Sequence, residues 1–222
     1  MRQFTELAAR IIQSAIRWDA KQAQQIAETA KKAKVNCVIG INELSDQPGS
    51  RTVCTPLLIV ISRKGEIVAR HRKLMPTHSE RAYWGMGGAS DIEKIHCSLW
   101  PGWWKLDGHL GAKSAEPGGN TCDIESAVRQ HAIENQVFVV SCSWYGKESD
   151  MPAELKGYMK YNLAVGGSCI VNPSGIIIEG PVFNKECIVH KEIDLAERDL
   201  AKAYFDCLGH YSRPDILSCV FQ

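Results

Sequence analysis

A chain of 222 residues, 45% hydrophobic and 23% charged, suits one globular domain with a sizeable core and excludes disordered, collagen-like and coiled-coil classes. The formal charge is +1 and no stretch concentrates Lys and Arg among aromatics, so no nucleic-acid partner is expected. No apolar run reaches a bilayer-spanning length, so no membrane partner is expected either.

Phe4, Leu7, Ala8, Ile11, Ile12 and Ala15 recur at helical spacing, and residues 20–34 follow as a second helix with a Gln- and Lys-rich outer face. Arg2, Arg10 and Arg17 give residues 1–17 a faint likeness to a transit peptide. Glu6 and the lack of a cleavage-like site favour an ordinary helix, which makes the cytoplasm the expected location. Residues 35–41 read as a strand. Residues 56–62 and 66–71 read as a hairpin turned by Arg63-Lys64-Gly65.

A glycine-rich loop (Gly85 to Gly88) precedes a short strand at 95–99, which Trp100-Pro101-Gly102 ends. A helix over 121–135, capped by Thr121 or Asp123, leads into a strand over 136–143. A second hairpin joins 168–172 to 176–179 through Pro173-Ser174-Gly175. A strand at 186–193 and a helix at 194–204 close the pattern. Helices alternating with strands and interspersed hairpins indicate an α/β fold of layered type with mixed sheets, in one domain over 1–222.

Nine cysteines are spread widely with no Cys-x-x-Cys, and most stand in apolar runs such as Asn36-Cys37-Val38-Ile39. They read as reduced core residues, Cys122, Cys142 and Cys169 among them, rather than as a disulfide framework. No phosphate-cradling loop, Gly-x-Ser-x-Gly elbow or metal-ligand spacing occurs, so neither a cofactor nor a metal is expected. His96 and Cys97, as neighbours on a strand, point to opposite faces.

The chemistry-bearing candidate is the run Arg70-His71-Arg72-Lys73-Leu74-Met75-Pro76-Thr77, followed by Glu80-Arg81-Ala82-Tyr83-Trp84-Gly85. By residue type it reads as a solvated basic run capping a hairpin edge, with Glu80 in an exposed ion pair. The alternative is a lysine and a glutamate at strand ends, able to hold an anion and move a proton.

Residues 71–88 resemble the catalytic-lysine segment of nitrilases, in the Arg-Lys-Leu-x-Pro-Thr run (72–77) and the Glu-Arg-x-x-Trp-Gly run (80–85). Ile95-His96 with Trp100-Pro101-Gly102 resembles a later core strand of that family, and Gly209 to Asp215 its usual domain end. The resemblance implies an α-β-β-α sandwich, present here incompletely, in a carbon–nitrogen hydrolase that turns a small nitrile and water into a carboxylic acid and ammonia. It implies Lys73 as the catalytic lysine that stabilises the tetrahedral intermediate, Glu80 as the supporting glutamate and Trp100 at the pocket mouth. It also implies a homo-oligomer.

Two of the family's segments have no counterpart. The Phe-Pro-Glu segment carrying the first glutamate falls before the region matched by Met1, and Glu43, on a later strand, reads as structural. The strand–Cys–helix block that carries the nucleophile should lie between Asp91 and Lys94, where the sequence runs straight through. Cys97 is the nearest cysteine, but a buried strand thiol is a poor nucleophile. The expectation is a nitrilase-type chain that is inactive or severely impaired in this form, or else a non-catalytic assembly partner of full-length subunits. An amidase of the wider superfamily fits Trp84-Gly85 and Trp100-Pro101-Gly102 less well.

Overall fold

The computed structural model describes residues 2–44, 54–76, 81, 84–88, 124–143, 145–150, 153, 166–206, 209–213 and 215–216. The chain divides into two compact units, residues 1–100 and 101–222.

In the first unit, helices α1 (Arg2–Ser14) and α2 (Lys21–Ala33) precede β1 (Cys37–Leu44), β2 (Cys54–Ile61) and β3 (Ile67–Arg72). The strands form an antiparallel sheet in the order β1-β2-β3. Ala23, Ala27 and Ala30 are buried along one stripe of α2. Small side chains at that spacing let the helix come close to the sheet. Ala27 and Ala30 pack there against Leu57, Ile59 and Ile61, with Ile39, Ile41, Ile67 and Trp18 around them. Burying each such Leu or Ile contributes about 1.5–3 kcal/mol, whereas an exposed, solvent-screened pair such as Arg17–Asp19 adds little, so the apolar face holds the unit together.

The second unit repeats the plan. Helix α3 (Ile124–Asn135) leads into β4 (Val139–Ser141), and β5 (Gly166–Val171) and β6 (Ile177–Phe183) complete an antiparallel sheet in the order β4-β5-β6. Val128 and Ala132 pack against Val139, Cys169 and Val171. Helix α4 (Ala196–Tyr204) buries none of its residues.

The two hairpin turns share one hydrogen-bond scheme. Gly65 N–H donates to Ser62 O and Ser62 N–H to Glu66 O, both at 2.8 Å. Gly175 N–H donates to Asn172 O and Asn172 N–H to Ile176 O, both at 2.9 Å. Each glycine has positive φ, 81° and 76°, which a side chain resists. Each also lies tight against the helix above, and a Cβ at Gly65 would stand 3.0 Å from Ala27 O.

Several expected boundaries change. Strand β1 runs on to Leu44 instead of ending at residue 41, because Ile16 bridges it in parallel and its polar end is partnered. That bridge, Ile16 N–H to Asn42 O at 2.9 Å and Leu44 N–H to Ile16 O at 3.0 Å, is the parallel component beside two antiparallel sheets. Strand β4 begins at Val139 rather than 136, because Gln136 takes φ 47° and closes the end of α3. Residues 186–193 form no strand, since no described strand pairs with them, and Ile188 is 90% exposed. Cys142 is exposed, not a core residue. Val139 and Ser141 occupy the inward positions of β4, and the two-residue period turns Cys142 outward. Cys187 is exposed as well, while Cys169 is buried and Cys37 half-buried; all four are free thiols. The expected strand at 95–99 and the caps at 121 and 123 lie outside the described residues. Among the described residues no helix is long and apolar enough to cross a membrane.

Candidate active site

Strand β3 delivers the basic run, and its register on β2 decides which face each residue takes. Arg72 lies opposite Leu57 and Arg70 opposite Ile59, on the face that α2 covers. His71 lies opposite Leu58 and Ala69 opposite Val60, on the other face. Lys73 is the next residue, directly after the end of the strand.

Arg70 sits with its guanidinium 4.1 Å from the centre of the Trp18 ring, a cation–π contact. Arg72 grips Glu43 with a two-pronged hydrogen bond, Nε to Oε2 at 2.5 Å and Nη2 to Oε1 at 2.9 Å. Glu43 is buried in β1, two strands away. The reading of residues 70–73 as a solvated run therefore fails: each is half-buried, and Arg70 and Arg72 have an aromatic ring and a carboxylate to receive them. The reading of Glu43 as structural holds.

Lys73 is half-buried just beyond β3. Its carbonyl accepts a hydrogen bond from Gly87 N–H at 2.9 Å. That contact brings the glycine-rich loop so close that a Cβ at Gly87 would stand 2.5 Å from Arg72 O. Arg81 reaches back with Nε to Pro76 O at 3.2 Å and Nη2 to Met75 Sδ at 3.2 Å, holding the far end of the run. The lysine segment is thus tied at Arg72, at Lys73 and at Pro76. The residues that make these ties, Glu43, Gly87 and Arg81, carried no chemistry of their own in sequence, though Arg81 belongs to the motif. Glu80, Trp100 and Cys97 lie outside the described residues.

Other described titratable groups do not build a second site. Burial pushes the Cys37 thiol up. Burial, and then the Glu125 carboxylate, does the same for Cys169, and a raised thiol pKa disfavours the reactive thiolate at both. Among the described residues no three His, Cys, Asp or Glu side chains gather as a metal ion would need.

Comparison with known proteins identifies the family. Residues 4–113 match the family model for carbon–nitrogen hydrolases. The chain is 30% identical to Nitrilase 2 of an unknown prokaryotic organism, over 97% of this chain and 73% of that one. It is 32% identical to Nitrilase 2 of Arabidopsis thaliana over 92% of this chain, and spans 66% of that protein's length. The fold matches that of Saccharomyces cerevisiae Nit3, a member of branch 10 of the nitrilase superfamily. The TM-score is 0.65, with 18% identity, over 92% of this chain and 78% of that one. The chain belongs to the carbon–nitrogen hydrolase family, within the nitrilase superfamily.

Proposed function

We propose that this chain carries the lysine portion of a nitrilase active site, directed at a small nitrile, and that it hydrolyses nitriles poorly or not at all in this form. Lys73 takes the position of the catalytic lysine, Glu80 that of the supporting glutamate, and Trp100 the mouth of the pocket. The observation that carries the reading is the motif spanning 72–85, whose lysine stands at the end of β3 with its backbone held by Gly87. A lysine carried by a held backbone just beyond a strand end suits stabilisation of charge on a tetrahedral intermediate.

The impairment follows from the run Ser90-Asp91-Ile92-Glu93-Lys94-Ile95, which leaves no room for a nucleophile-bearing strand, elbow and helix. Loss of a nucleophile costs on the order of 10⁶ in turnover in subtilisin, and what remains comes from binding and charge stabilisation. The test is ammonia release from aliphatic, aromatic and arylaceto-nitriles, for which no turnover is expected. Turnover that survives Cys97→Ala would overturn the reading. Sequencing genome and transcript across the codons for Glu93 and Lys94 then tells whether the locus encodes a block that this product lacks.

The second reading, a non-catalytic assembly partner in a cytoplasmic homo-oligomer or mixed oligomer, is favoured by apolar surface in the second unit. Ile188, Leu200, Tyr204, Tyr211 and Ile216 are all exposed there. Self-association is a general way to cover such surface. Co-expression with an intact homologue followed by size exclusion tests it, and separate elution sinks it.

A further inference from the structure

The Glu43–Arg72 pair does more than join two strands. Glu43 is 3% exposed, and Arg72 reaches it from β3 across the width of β2, a span of roughly 9–10 Å in a sheet. Stability does not explain such a pair, because apolar residues of similar volume usually serve a buried position as well or better. What a two-pronged fork supplies is direction: both guanidinium nitrogens must face both carboxylate oxygens, which fixes the rotation of Arg72 about its strand.

Lys73 follows Arg72 directly, so the rotation of Arg72 about its strand also turns the peptide plane that the two residues share. The Gly87 N–H on the Lys73 carbonyl and the close approach of Gly87 to Arg72 hold the same two residues from another side. Ile16 bridges Glu43 in turn, through Asn42 O and Leu44 N–H, so the backbone that carries the carboxylate is itself anchored.

We propose that Glu43 and Arg72 are positioning residues for Lys73, their ion pair setting where the Lys73 amine stands in the site. The inference rests on the reading of Lys73 as the lysine of that site. It also gives Glu43 a part in the lysine's geometry without contact to substrate.

The test is competitive acetylation of the full chain with limiting acetic anhydride, each lysine read separately by peptide mass spectrometry. Lys21 and Lys32, exposed on α2, serve as internal references. In the unaltered chain Lys73 is expected to react more slowly than both. In Glu43→Gln it should react about threefold faster or more, with Lys21 and Lys32 unchanged and a cooperative melt retained. Arg72→Lys keeps the cation but loses the fork, and should move Lys73 in the same direction by less. If E43Q does not fold, R72K carries the same comparison. A Lys73 that is slow in the unaltered chain and equally slow in the folded variants overturns this proposal alone. So does a rise of all lysines together, which would mean general loosening. A Lys73 as fast as Lys21 and Lys32 from the outset instead overturns the site reading beneath it.

Discussion

Glu43 has lost nearly all its water and depends on Arg72 for compensation, so removing either partner leaves a poorly solvated charge. Arg72→Ala should destabilise the fold by about 3 kcal/mol, near the low end for buried pairs because the arginine side chain is a quarter exposed. Replacing both residues by leucine should cost far less, and urea unfolding of the three variants checks this. The thiols give a second prediction. A thiol reagent applied to the native protein should modify Cys142 and Cys187, and reach Cys169 only after denaturant, as peptide mapping would show. Cys169 also fixes a pH dependence. Its folded pKa is raised by burial, so the folded state holds the proton longer than the unfolded state. The stability it contributes is complete below the unfolded thiol's pKa, about 8.5, and is lost as pH rises through the folded value. Cys169→Ala should therefore flatten the alkaline limb of a stability–pH curve.

At the scale of elements, the helix ends show where local conformation is under strain. Lys34 ends α2 in the left-handed region at φ 55°, with its N–H bonded to the last turn of the helix. A side chain there costs about 1 kcal/mol that glycine avoids, and Lys34 is exposed, so Lys34→Gly should raise the urea midpoint. Gln136 occupies the matching place after α3 at φ 47°, but it is buried and its Nε2 donates to Ile133 O at 2.6 Å. The exchange is not free there. Gly175→Ala should be harmful for two reasons, its φ of 76° and a new Cβ 2.5 Å from the Ile133 side chain. Both turns were legible from their Gly-containing triplets between apolar runs. The outer face of α2 was legible from its Gln and Lys residues, whereas the alanine stripe beneath it emerged only from the packing. The strand proposed at 186–193 was not, because its composition suits a strand yet no described strand pairs with it, and a strand without a partner is not a stable element.

For the whole molecule, each unit carries its own core, and the second also carries a helix with no fully buried residue. Leu200 and Tyr204 stand four apart on α4 at 62% and 76% exposure, so they share one face. On the assembly-partner reading, Leu200→Asp with Tyr204→Asp should shift size-exclusion elution toward a smaller species while leaving the melting temperature nearly unchanged. Unaltered elution would argue that this face takes no part in assembly.

The sequence by itself determined the α/β class, the two hairpins, the position of Lys73 at a strand end and the family to which the chain belongs. These are local or contiguous features: a turn needs its glycine, a helix its stripe, and the lysine motif its ordered run of residue types. Only the tertiary structure decided that Glu43 serves Arg72, 29 residues away, and that Gly87 and Arg81 hold the backbone around Lys73. It also decided that β1 continues through polar residues to Leu44. Those outcomes depend on which strands become neighbours and which face each residue takes. Such pairings are set by the summed burial of both sheet faces, which no short stretch of the chain encodes.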